Sequence, residues 1–172
     1  MSEEPQGLMV HIRYKDVEKT LSGNPEQVWL LLNKFFEELL PSFDTARKLT
    51  LSVDLKTLAE DSEKVLAFAS EGPYILVPRN KLTDNETLAL LLLANHMGHR
   101  LGKIQVDGLP KEELQAKLGK DAKITSTRLG ELVKNEMVTK TVDDTYKITT
   151  YGLVQLQKDI LPRIKARASI LT

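Results

Sequence analysis

The densest cationic stretch outside the C-terminal segment lies between Lys117 and Lys140, where six basic side chains stand against three acidic ones. Such a run can neutralise the phosphates of a polyanion, although exposed positions are normally charged and a solvated surface is the competing reading of any single lysine. His96 and His99 share a helical face at i, i+3, a spacing that can hold a metal. His11 is the only other histidine and no third ligand stands nearby, so both are read as packing or surface residues, with no metal and no cofactor expected. Residues 98–103 come close to a phosphate loop but lack its four-residue spacer and the Ser or Thr after lysine. The carboxylate pairs Glu37-Glu38 and Glu60-Asp61 have nothing beside them to raise a pKa, so acid–base catalysis has no motif behind it. Trp29, Phe35 and Phe36 could stack on single-stranded bases, but they sit in so apolar a helix that a core role is favoured. Asn85-Glu86-Thr87 is a glycosylation sequon without meaning in a cytoplasmic protein.

Composition narrows the field further. The chain has 172 residues, 41% of them apolar, enough for one ordinary domain or two small ones with a real core. With no cysteine there is no disulfide framework, thiolate zinc site, iron–sulfur cluster or cysteine nucleophile. Lysine and arginine number 24, as do aspartate and glutamate, so any attraction to nucleic acid must be local. The balance conceals an asymmetry: residues 1–82 carry 10 basic and 13 acidic side chains, a net of −3, and residues 83–172 carry 14 and 11, a net of +3. Met1-Ser2-Glu3-Glu4 is acidic where a signal peptide needs positive charge, and the longest apolar run, residues 88–94, is too short to span a bilayer. A soluble, cytoplasmic protein is expected.

The elements that must position these residues follow from periodicity and capping. Val10, Ile12 and Tyr14 alternate with polar residues, Lys15-Asp16 supplies a turn, and Val17 and Leu21 resume the alternation, which predicts a hairpin. Asn24 and Pro25 are good N-cap and first-turn residues for a helix over 26–40, stopped by Pro41. Its apolar set is wider than one stripe, so most of its circumference should be covered by sheet, a neighbour or a partner chain. A weaker helix over about 44–60 and two strands, 65–69 and 74–77, complete a small N-terminal α+β unit, residues 1–82, with a sensor, dimerisation or partner-binding role. Thr83 and Glu86 form a capping-box pattern ahead of a helix over 87–101. Beyond it come a short strand at 104–106, a helix over 111–118 ended by Gly119, a helix over 123–135, strands at 137–141 and 145–148, and a final helix over 150–167 with a kink at Pro162.

The stretches Glu113-Leu114-Gln115-Ala116-Lys117-Leu118-Gly119, Thr125 through Val138, and Tyr146-Lys147-Ile148-Thr149-Thr150-Tyr151-Gly152-Leu153 resemble the MarR- and ArsR-like winged helix-turn-helix regulators common in archaea, over about residues 83–160. The resemblance implies an α+β chain whose winged helix domain, residues 83–172, ends in a long C-terminal helix. It implies that the helix over 123–135 lies in the DNA major groove. Lys123, Ser126, Thr127 and Arg128 would then face outward while Thr125 and Leu129 face the core. In that placement Arg128 can bind guanine bidentately, Ser126 and Thr127 can reach bases or phosphates, and Lys117, Lys120 and Lys134 can neutralise phosphates. Two positions depart from the family's pattern: the wing tip carries Asp143-Asp144, which phosphates repel, and Asn135-Glu136 stands where glycine is usual.

Leu153, Leu156, Ile160 and Ile164 form a stripe that in related regulators packs against a second subunit; packing within the chain is the alternative. The expectation is a non-enzymatic, sequence-specific binder of double-stranded DNA, a transcription regulator acting as a homodimer. The other reading is a winged helix used for protein–protein or ribonucleoprotein assembly, favoured by zero net charge, the acidic wing and the apolar helix over 26–40.

Overall fold

The computed structural model describes residues 7–14, 16–39 and 50–169. The chain is a mixed α+β protein of two compact units, with the boundary between Thr50 and Leu51.

In the first unit β1 (Leu8–Tyr14) and β2 (Val17–Gly23) pair antiparallel, from Leu8 opposite Gly23 to Tyr14 opposite Val17. Lys15 of the expected turn lies outside the described residues. Helix α1 (Pro25–Leu39) starts on a reciprocal cap: the Gln27 N–H donates to Asn24 Oδ1 at 2.8 Å and the Asn24 N–H to Gln27 Oε1 at 3.2 Å. Leu21, Val28 and Phe35 form the buried seam, and the Lys19 ammonium sits 5.5 Å from the Phe35 ring centre. Within the chain the expected cover of this helix is only partial, Trp29 and Leu30 being 64% and 68% exposed. Leu40, Pro41 and the start of the weaker helix fall outside the described residues.

The second unit is built around α3 (Asp84–Arg100), with the short helix α2 (Leu55–Ser62) and the hairpin of β3 (Leu66–Ala69) and β4 (Gly72–Ile75) preceding it. The capping box forms as expected: Thr83 Oγ1 accepts the Glu86 N–H and the Glu86 carboxylate accepts the Thr83 N–H. Leu88, Leu90, Leu92 and Leu93 are essentially inaccessible, so α3 is buried on nearly all sides, as a helix apolar all round requires. The same core takes Leu58, Val65, Leu66, Val77 and Leu82. The expected cut before Thr83 therefore falls inside one core, and side chains from residues 51–82 pack together with those of α3 and the more C-terminal elements.

The strand expected at 104–106 is not one. Ile104 packs against Gly98, where a Cβ would collide with the isoleucine side chain, and the Val106 carbonyl accepts from Asn95 Nδ2 at 3.0 Å. Pairing falls instead to β5 (Leu109–Pro110), followed by α4 (Lys111–Leu118), α5 (Ala122–Lys134), β6 (Val138–Lys140) and β7 (Thr145–Ile148). The three strands form an antiparallel sheet in the order β5-β7-β6. The chain then runs through α6 (Thr150–Gln155), a π-helical turn at Leu156–Ile160 and α7 (Leu161–Ser169). The irregularity expected at Pro162 is this π turn just before it, closed by the Leu161 N–H on the Leu156 carbonyl. Among the described residues no helix is long and apolar enough to cross a membrane.

Candidate nucleic-acid interface

Gly119, in the left-handed conformation at φ +69°, ends α4 and turns the chain into α5. Asp121 caps α5 by accepting the Ile124 N–H at 2.7 Å. Thr125, Leu129 and Leu132, at spacings of four and three, bury one face of α5, and the Thr125 hydroxyl is satisfied by the Asp121 carbonyl at 2.9 Å. The opposite face is thereby turned outward. Lys123, Ser126, Thr127, Gly130 and Lys134 are all exposed on it. The Ser126 and Thr127 hydroxyls donate to the carbonyls of Ala122 and Lys123 at 2.7 and 2.9 Å, so their free lone pairs present acceptors to solvent. Nothing lies within 4 Å of where a Cβ on Gly130 would stand. That opening lets another molecule approach the helix backbone, and sequence reading passed over it.

Arg128, expected to face outward, is only partly turned to solvent, its side chain 41% exposed. It lies on the flank of α5, where Nη1 donates to Glu131 Oε1 and Oε2 at 2.9 and 3.1 Å and Nε stands 4.0 Å from Asp84. Asp84 also accepts from Arg79 at 2.6 Å, and Glu131 accepts from Asn85 at 2.8 Å. The Asn85 amide and the Arg128 guanidinium hold the Glu131 carboxyl below the usual carboxylate range. Two carboxylates thus engage Arg128, and the cluster ties the start of α3 to α5. The i, i+3 spacing of Arg128 and Glu131 was the signal for this pairing.

Of the other cations, Lys117 stands 3.6 Å from Glu113 one turn earlier on α4. Lys120, Lys123 and Lys134 are exposed and make no ion pair among the described residues. In the β6–β7 hairpin, Lys140 pairs with Asp144, whose carboxylate raises the lysine pKa, so only Asp143 of the two tip acids lacks a cation among the described residues. Val142, at the tip, is completely exposed.

The stripe expected to dimerise is consumed at home. Leu153, Leu156 and Ile164 are buried in the chain's own core and Ile160, partly exposed, packs against it, so that face leaves little surface for a second subunit. Gly152 explains the close fit, since a Cβ there would strike the Met137 carbonyl oxygen. His96 Nδ1 lies 3.2 Å from the Asp107 carboxylate, and among the described residues no three histidine or carboxylate side chains gather at one point. Comparison of the chain with family models, curated proteins and solved structures finds no match.

Proposed function

We propose that residues 84–160 form a winged helix-turn-helix that binds double-stranded DNA with the exposed face of α5 in the major groove, the chain serving as a non-enzymatic transcription regulator. The observation that carries this reading is the two-faced character of α5. One face is locked into the core by Thr125, Leu129 and Leu132, and the other offers Lys123, Ser126, Thr127, Gly130 and Lys134 to solvent. Lys120 and Lys123 stand at the entry of α5 and Lys134 at its end, so all three can reach backbone phosphates while the hydroxyls between them meet base edges. A homodimer would set two such helices about 34 Å apart, one turn of DNA. Its contact must lie elsewhere than on Leu153, Leu156 and Ile164.

Fluorescence anisotropy of the chain against labelled duplex DNA over a salt series tests the reading. Three lysines without an ion pair among the described residues, at about 0.9 per phosphate, predict a slope of log affinity against log salt near −3 per chain. No binding at low salt would refute it.

A second reading, a winged helix that docks a protein or ribonucleoprotein partner, is favoured by the exposed Trp29 and Leu30 and by the exposed Val142 beside the acidic wing tip. It predicts a stable complex recovered from native extract and no duplex binding at ~0.15 M salt.

A further inference from the structure

The second unit contains a groove of about 750 Å³, walled by the turn of the β3–β4 hairpin, the C-terminal half of α3, residues 103–110 and α4. Its floor is apolar, formed by Phe68, Leu91, Ala94, Ile104 and Leu109. The 103–110 wall is fixed in place without any occupant. The N–H groups of Lys103 and Ile104 donate to the Gly98 carbonyl at 2.8 and 3.1 Å. Asn95, only 5% exposed, spends its amide on the Val106 carbonyl. A wall held by a buried polar side chain and two backbone bonds is preorganised, and preorganisation lowers the entropy cost of binding.

Four charged side chains border this floor: Glu71, Lys103, Glu113 and Lys117. Glu113 and Lys117 neutralise each other at 3.6 Å. Glu71, on the hairpin turn, and Lys103, on the loop after α3, make no ion pair among the described residues. What remains is one anion, one cation and an apolar floor between separate segments of chain.

We infer that the groove binds a small zwitterion of the amino-acid type with apolar side chains. Its carboxylate would meet Lys103, its ammonium Glu71, and its side chains the Phe68–Ile104–Leu109 floor. The volume lies within the range of about 300 to 1,000 Å³ typical of small-molecule sites, and a dipeptide is the smallest such zwitterion that carries two apolar side chains for the floor. This inference does not depend on DNA binding. Lys117 both borders the groove and sits on α4.

The test uses the whole chain labelled with nitrogen-15 and titrated with three probes: leucyl-phenylalanine, its N-acetyl derivative and its C-terminal amide. Saturable shifts are expected at the backbone amides of residues 69–72 and 103–109, and each blocked probe should bind about tenfold more weakly, the loss of one charge-assisted contact. Lys103→Met should weaken the parent dipeptide about tenfold and leave the C-terminal amide unaffected, and Glu71→Gln should do the same with respect to the N-acetyl probe. Both positions are exposed, so the spectrum away from the groove should keep the parent pattern. Absence of saturable shifts at millimolar dipeptide, shifts confined to other surfaces, or an affinity indifferent to the end charges would overturn the assignment.

Discussion

On α5 one residue step turns a side chain by about 100°, and that step separates Thr127, which faces solvent, from Arg128, which faces Glu131 and Asp84. Arg128→Ala is therefore expected to lower stability by less than about 1 kcal/mol, because the guanidinium is substantially exposed and such pairs are weak. Duplex affinity should fall less than when Lys123 is removed; a variant that loses more affinity than Lys123→Ala would return Arg128 to the DNA surface. Gly130 gives a sharper separation. Glycine inside a helix costs about 0.5–1 kcal/mol relative to alanine, and nothing obstructs a Cβ there. Gly130→Ala should raise the unfolding free energy by about that amount while weakening DNA binding, and thermal unfolding beside anisotropy would show the two moving in opposite directions. The buried role of Thr125 and Leu129 was legible from sequence by spacing. The pairing of Arg128 with two acids was not, since the second, Asp84, arrives from another helix.

Between elements, the most informative tie joins the start of α3 to α7 through Glu86 and Arg167. Burial pushes the Glu86 carboxyl up, but the Thr83 N–H and the Arg167 guanidinium outweigh it, so its pKa lies below the ordinary 4.5. A carboxyl whose folded pKa is depressed adds stability above its unfolded value and loses it as pH falls through the folded one. Glu86→Gln should therefore be destabilised against the parent at about pH 7, with the gap closing as pH drops below about 4. Unfolding free energies across that range check the sign; a gap that widens in acid would contradict it. Several caps and stops were legible, Asn24, Thr83 with Glu86, and Gly119 acting where their residue types predict, while the caps at Asp54 and Asp121 were passed over. The strand at 104–106 was misplaced because its alternation serves tertiary packing onto Gly98 and Asn95, and β pairing needs a neighbouring strand that only Leu109–Pro110 has.

For the molecule as a whole, charge and core do not divide at the same place. The sign of the net charge changes near Thr83, yet Leu58, Val65, Leu66, Val77 and Leu82 belong to the core that α3 organises. A fragment of residues 51–172 is accordingly expected to unfold cooperatively, whereas one of residues 83–172 loses five core side chains and should lack a cooperative transition; equal behaviour would place the boundary back at Thr83. Charge patterning could not reveal this because surface charge follows solvent exposure, while a core is assembled from apolar residues distant in sequence. The proposed function depends on a few exposed lysines in a chain of zero net charge, so it is tested most directly by counting their phosphate contacts. The measurement is the salt dependence of duplex DNA affinity for the parent and for Lys123→Ala combined with Lys134→Ala. Loss of two contacts should make the slope shallower by about 1.8. Identical slopes, or no binding by the parent even at low salt, would contradict the assignment of α5 as the DNA-reading helix.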